Sequence, residues 1–351
     1  MSSSAAARPG LPRHHREDGS FQNNYQAFEP KSLAELLRWR WGAARAGLPK
    51  PPLAPIPVVA PELDFVHANT GAAQQPAVSW IGHATVLAQL GGLHVLTDPI
   101  FSPRASPLSF VGPQRQQPPG IALDQLPAID VVLVSHNHYD HLDEASVRTL
   151  ARQGGGDGPL FIVPLGLAGW FRQRGIAKLI ELDWWQSHLM QTLRGTVEVM
   201  LVPAQHWSAR GLGDRMMSLW GGFALFAPDC HLFYAGDTGY SRDFADMRER
   251  FAGRQSAAQG GGFDIALLPI GAYEPRWFMR TQHINVEEAL RIHADLGAKR
   301  SLGVHWGTFA LSDEALDEPP RALARQRAAQ GLADEDFFTL AIGQTRRLPP
   351  R

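Results

Sequence analysis

Short aliphatic runs, each closed by glycine, proline or a polar cluster, recur along most of this chain. Residues 78–87 (VSWIGHATVL) read as strand, tight turn at Gly82, strand. Strands follow at 93–99, 131–134, 160–164, 178–185 and 196–207. A hairpin spans 221–227 and 230–240, and further strands cover 264–273 and 301–309. Several runs are apolar at successive positions, the pattern of strands buried on both faces. Helical spacing interrupts them. SVRTLAR after Asp143 ends near Gly154–Gly156, residues 165–175 form a second helix, and 285–297 form a third with Asn285 as cap, Glu288 at its third position and Gly297 at its end.

The pattern matters most at residues 131–143, VVLVSHNHYDHLD. A strand of four aliphatic residues runs straight into His136, His138, Asp140 and His141. Ordinary turn chemistry has no use for three imidazoles in six residues. Imidazole nitrogens suit zinc, and a carboxylate can contribute to a second ion roughly 3.5–4 Å from the first. One loop cannot complete two coordination shells, so further ligands are expected at other strand ends. His206, Asp237 and His305 occupy such positions. Asp98, at the end of the 93–99 strand, is a candidate acceptor behind a ligating histidine, and His83 a candidate residue of the same pocket. His14, His15, His67, His94, His188, His231 and His293 lack this context and read as surface or core.

Composition narrows the class. The chain has 351 residues, formal charge −1, 44% hydrophobic residues and a single cysteine, Cys230. Near-zero charge gives no basic surface for nucleic acid. One cysteine excludes an internal disulfide and fits a reducing compartment. No run is apolar enough to span a bilayer, and the first twenty residues lack the apolar centre of a signal peptide. The expectation is a cytoplasmic protein with optional peripheral membrane contact.

Two regions are expected. Residues 1–61 form an arm: disordered over 1–20, helical over 32–46, extended over the proline-rich 49–61. The helix opens with a capping box, Ser32 and Glu35. Leu33, Leu36, Leu37, Trp41 and Ala44 fall on one face, with Arg38 and Arg45 away from it. Such a helix either packs on the domain or a second subunit, or lies in a membrane interface. Residues 62–351 form the catalytic domain.

The segments SWIGHATV, LTDPIFSPRASP, LVSHNHYDHLD, ELDWW, QHW, AGDTGY, PIGAYEPRWFM, QHINVEEALRIH and HWGTFALSDE resemble the metallo-β-lactamase-fold hydrolases, and within them the N-acylphosphatidylethanolamine-hydrolysing phospholipases D. The likeness covers roughly residues 78–345. It implies an α+β protein, an αβ/βα sandwich of two mixed sheets with helices outside. It implies two zinc ions, one held by His136, His138 and His206, the other by Asp140, His141 and His305, with Asp237 shared. Where diiron oxidoreductases of the superfamily carry a glutamate this chain has His138, which points to hydrolysis. The implied reaction cleaves a phospholipid to an N-acylethanolamine and phosphatidic acid through a metal-bridging hydroxide. Asp140 would orient that hydroxide, and His283 would act as acid or phosphate contact. Tyr273, Arg276, Trp184 and Trp185 are candidate substrate contacts, although the tryptophan pair weighs toward wall or core. A homodimer is implied as well.

A hydrolase of the same fold acting on a soluble lactone or cyclic phosphodiester would need the same ligands. The aromatic complement Trp184, Trp185, Trp277, Phe278 and Phe309 weighs toward lipid.

Overall fold

In the computed structural model, which describes residues 11–211 and 213–351, the aliphatic runs become strands. The first six are β1 (Ala77–Gly82), β2 (Thr85–Leu90), β3 (Leu93–Thr97), β4 (Val131–Leu133), β5 (Leu160–Pro164) and β6 (Leu179–Leu182). The next seven are β7 (Ser187–Thr192), β8 (Gly195–Val202), β9 (Gly222–Phe226), β10 (His231–Tyr234), β11 (Ile265–Pro269), β12 (Ser301–Val304) and β13 (Phe337–Phe338). The last, β14 (Thr345–Arg347), returns to the first sheet. Two seven-stranded sheets result, ordered β14-β1-β2-β3-β4-β5-β6 and β13-β12-β11-β10-β9-β8-β7.

The sheets share one plan. The first is antiparallel from β14 to β3 and parallel from β3 to β6. The second is antiparallel from β7 to β10 and parallel from β10 to β13. Parallel neighbours need long crossovers, which are usually helical. The helices are α1 (Leu33–Ala46), α2 (Leu63–Ala68), α3 (Glu144–Leu150), α4 (Ala168–Arg172), α5 (Asp243–Phe251), α6 (Arg276–Met279), α7 (Val286–Leu296) and α8 (Glu318–Gln330). Of these, α3 to α8 fall within parallel crossovers.

Alternation along each strand divides the core into two layers. Val131 and Leu133 of β4 point inward, to a cluster shared with Val197 and Val199 of β8 and Phe223 and Phe233 of the second sheet. Val132 and Val134 point outward, to Val147 of α3 and Phe171 of α4. This is the αβ/βα sandwich that the sequence resemblance implies.

Several boundaries differ from the sequence expectations. The 165–175 helix contracts to α4, and the 196–207 strand ends at Val202, so His206 sits in the loop beyond it. Residues 1–10 lie outside the described residues. Residues 11–20, expected to be disordered, are instead pinned: His14 and His15 both meet Asp183, at 2.6 and 2.7 Å. Helix α1 keeps its capping box and ends on Gly47 at φ 59°. Its docking residue is Trp39, which packs on Phe278 and Met279 and donates its indole N–H to Asp313.

Candidate metal centre

The parallel strands leave their C-terminal ends along one rim of the sandwich, where the chemistry gathers. His136, His138, Asp140 and His141 come from the loop after β4. His206 follows β8, Asp237 follows β10 and His305 follows β12. These seven side chains, expected from sequence, are brought together. They form two groups. Ligand atoms of His136, His138 and His206 lie within 4.8 Å of one another, as do those of Asp140, His141, His305 and His83. Asp237 touches both groups. Its Oδ2 is 3.1 Å from His141 Nε2 and 3.9 Å from His206 Nε2, and its Oδ1 is 3.1 Å from His305 Nε2.

The local backbone bends to allow this. Gly236, at φ 61°, lets Asp237 approach the first sheet: a Cβ there would come within 2.7 Å of Ser135 Cβ. His83, Asp98 and His305 hold left-handed conformations at φ 54°, 32° and 66°. Non-glycine residues enter that region at a cost, and such strain concentrates at functional sites.

A layer of hydrogen bonds aims the rings. His141 Nδ1 donates to Asp98 Oδ2 at 2.6 Å, and Asp98 also accepts from the Ser135 amide and hydroxyl and from Tyr234 Oη. His206 Nδ1 donates to the Gln282 carbonyl at 2.9 Å. His83 Nε2 donates to Asp140 Oδ2 at 3.0 Å.

The electrostatics suit a cation. Burial pushes His136 and His206 well below the usual imidazole range and His138 down to about 4, so all three present neutral nitrogens. Burial raises the Asp140 and Asp237 carboxyls, but neighbouring imidazoles, His141 foremost, outweigh it and hold both well below the ordinary carboxylate value. Burial lowers His305, yet Asp237 and Asp140 carry it up to about 9.

The protein's own hydrogen bonds do not satisfy this cluster. His136 Nε2 faces His138 Nδ1 at 2.8 Å, and His206 Nε2 faces the same atom at 3.3 Å. Among the described residues, buried His138 Nε2, His283 Nδ1 and His305 Nδ1 find no hydrogen-bond partner. Leaving such groups unmet costs about 1–3 kcal/mol each. Converging nitrogen and carboxylate lone pairs are what zinc-type ions take up, so the residues fit the metals that the fold implies.

The remaining candidates divide. His283 reaches the cluster: its Nδ1 lies 3.7 Å from Asp237 Oδ2 and its ring 5.3 Å from that of His206. Arg276, expected to meet substrate, is committed elsewhere. It pairs with Glu288 at 2.7 Å and donates to the His283 and Tyr273 carbonyls, bracing the turn that carries His283. Tyr273 is buried in the main core. Trp184 packs at a tilt against His14 and donates to the Trp220 carbonyl, while Trp185 packs beside Phe251 with Arg250 over its ring. The expected substrate contact of this pair is therefore corrected to a place in the core wall. A cleft of about 950 Å³ opens behind the metal loop, lined by Asn137, Tyr139, Arg148, Trp170, Arg174 and Arg210 among others, and by none of the seven cluster residues.

Sequence reading passed over some neighbours. Trp207 meets His138 edge-on at 4.5 Å, and Tyr234 supports Asp98. Asn23 clamps the His206 backbone, accepting its amide N–H and donating to its carbonyl. Trp207 stands in the QHW motif and Tyr234 in the strand just before AGDTGY, but nothing in sequence links Asn23 to a residue so distant along the chain.

Comparison with known proteins agrees with this geometry. Residues 94–306 match the beta-lactamase superfamily domain. The chain is 37% identical over 288 residues to the N-acyl-phosphatidylethanolamine-hydrolyzing phospholipase D 1 of Caenorhabditis elegans, covering 80% of this chain and 77% of that protein. It is 38% identical over 274 residues to the mitochondrial N-acyl-phosphatidylethanolamine-hydrolyzing phospholipase D of Saccharomyces cerevisiae, covering 78% of this chain and 56% of that one. Among solved structures, a metallo hydrolase from Ignicoccus hospitalis superposes with a TM-score of 0.57 at 20% identity, over 78% of this chain and 98% of that one, a likeness of fold. The chain belongs to the metallo-β-lactamase superfamily and, within it, to the family of the N-acylphosphatidylethanolamine-hydrolysing phospholipases D.

Proposed function

We propose that this enzyme is a metal-dependent phosphodiesterase of the phospholipase D type, splitting N-acylphosphatidylethanolamine into an N-acylethanolamine and phosphatidic acid. The observation that carries the reading is Asp237 standing between two groups of converging ligand atoms, in a chain 37% identical to a phospholipase of that specificity. His136, His138 and His206 would hold one zinc ion, and Asp140, His141 and His305 the other, with Asp237 shared. Ions bound there supply Lewis acidity toward a phosphoryl oxygen and bring the pKa of a water toward about 7.

The chain's own groups do the rest. Asp140 and Asp237 are ionised and would orient an attacking water by accepting hydrogen bonds from it. His283, buried beside Asp237, is held down to about 4, so at neutral pH it is an uncharged imidazole. That suits a hydrogen-bond donor to phosphate better than a proton donor to the leaving oxygen. Asp98 keeps His141 in one ring orientation.

Helix α1 supports a lipid substrate. Docked through Trp39, it leaves Leu33, Leu37 and Trp41 exposed at 71%, 59% and 64%, one helical stripe facing outward. Arg38 stacks on Trp277, itself exposed, and Arg45 on Trp41. Apolar rings and aliphatic side chains beside guanidinium groups suit the boundary between acyl chains and phosphates. Contact would be peripheral, for no helix among the described residues is long and apolar enough to cross a membrane. A homodimer, carried over from the family likeness, is checked by light scattering.

The test incubates purified protein with vesicles of N-acylated or plain phosphatidylethanolamine, with and without chelator. The expected result is phosphatidic acid and N-acylethanolamine from the N-acylated lipid alone, abolished by chelation and restored by zinc. Turnover of no glycerophospholipid under any metal would sink the reading.

A further inference from the structure

The N-terminal arm carries a second cluster of metal-ligating side chains, on the flank of the sandwich and outside the centre described above. Residues 14–22 fold into a tight hairpin, with His15 bridged to Phe21 and the Gln22 amide donating to the His14 carbonyl. The hairpin directs two consecutive histidines at one carboxylate. His14 Nε2 lies 2.6 Å from Asp183 Oδ1, and His15 Nε2 lies 2.7 Å from Asp183 Oδ2. Asp183 stands just beyond the end of β6.

We propose that His14, His15 and Asp183 form a further binding site for a zinc-type divalent ion, a staple that fixes the N-terminal arm to the catalytic domain. Two imidazoles and a carboxylate are a zinc donor set, and the three ligand atoms lie within 4.8 Å of one another. His14 and Asp183 are buried, exposed at 4% and 8%, while the half-buried His15 leaves one side open for a water as fourth ligand.

The ligands are also held in place from behind. The His14 ring packs at a tilt against Trp184, centroids 4.4 Å apart, and the His15 ring meets Phe21 edge-on at 5.1 Å. Asp183 Oδ1 accepts the Trp184 amide at 2.8 Å, and the Asp183 amide donates to Gln186. Among the described residues no lysine or arginine pairs with Asp183, so the two imidazoles are its only ionic partners. Without an ion each imidazole donates Nε2–H to one carboxylate oxygen. With one, each ring carries its proton on Nδ1 and turns the Nε2 lone pair to the metal.

The staple has a consequence at the centre. Eight residues after His15, Asn23 holds both backbone groups of His206, and further on Phe28 stacks on Trp207 at 4.9 Å. An arm fixed at Asp183 keeps these contacts in register. A loosened arm releases the loop that presents His206.

The proposal is independent of which substrate the enzyme takes, and its readout is metal content. Full-length protein is equilibrated with a small excess of zinc, freed of unbound ion, and its zinc per chain measured beside that of the His14→Gln/His15→Gln variant. The variant is expected to hold one equivalent fewer. Crystals of the unaltered protein, grown with zinc only slightly above equimolar to its sites and measured at the zinc edge, are expected to give an anomalous peak among His14, His15 and Asp183. That experiment decides the matter even when the variant fails to fold. Equal zinc in the two proteins, an anomalous peak at the seven-residue centre alone, or a flank peak that needs millimolar zinc would each overturn the staple and leave a hydrogen-bonded clamp.

Discussion

The two sheets follow one strand plan yet feed the centre in different ways. The first gives four of its side chains from a single loop after β4, which is secured independently of any ion. Asp98 accepts from Ser135 and His141, and Arg210 donates to the Asn137 and Leu142 carbonyls, one within the ligand run and one just after it. The second sheet gives one residue per strand end, His206, Asp237 and His305, from three segments that meet only because β8, β10 and β12 lie in one sheet. One half is a preformed cradle on one loop, and the other, the closing half, is assembled from three separate strand ends. Ions would therefore do more to order the second half than the first.

The largest effect is expected where the halves meet. Asp237→Ala removes the carboxylate that stands between the two groups, and should lower kcat on the order of 10³-fold and reduce bound metal. Activity near the unaltered level in a folded variant would break the idea of a shared centre. Chelation should abolish turnover and, by hydrogen exchange, loosen residues around 206, 237 and 305 more than residues 136–141. Equal loosening would remove the contrast between cradle and closing half.

Asp98→Asn, behind the cradle, should cost about 10–100-fold in metal affinity or activity, since it re-aims His141 without deleting a ligand. Trp41→Glu on α1 leaves the centre intact and should lower turnover of vesicle lipid several-fold while sparing lipid presented in detergent. The smallest effect concerns how the second sheet is anchored. Burial raises the Asp264 carboxyl, but the His231 amide, Lys299 and Arg351 outweigh it and hold it below its ordinary value. A carboxyl depressed in the folded state contributes stability above its unfolded pKa of about 4, and loses that contribution as pH falls through the lower folded value. Asp264→Asn should thus lower Tm at pH 7 and match the unaltered protein near pH 2.

Legibility followed the same division. His136, His138, Asp140 and His141 lie within six residues and could be read as a unit. His206, Asp237 and His305 were legible only through their shared position at strand ends. The division into two groups came with the family likeness. Arg276 and the Trp184–Trp185 pair show the limit: residue type made them candidates, but their partners Glu288, Trp220 and Phe251 stand at separations that periodicity does not encode. The apolar stripe on α1 was visible from spacing, whereas its exposure and the docking by Trp39 were not, because Phe278 lies more than two hundred residues away.

By itself the sequence determined the local terms: which runs are strands, where Ser32 and Asn285 start helices, and which side chains carry metal-type chemistry. Those follow from side-chain shape, backbone preference and donor type, properties of a residue and its near neighbours. Tertiary structure alone decided that β14 returns to the first sheet, that the arm is pinned by His14 and His15, and that Asn23 supports His206. Each depends on groups distant in the chain sharing one small volume, which only the packing of the two sheets brings about.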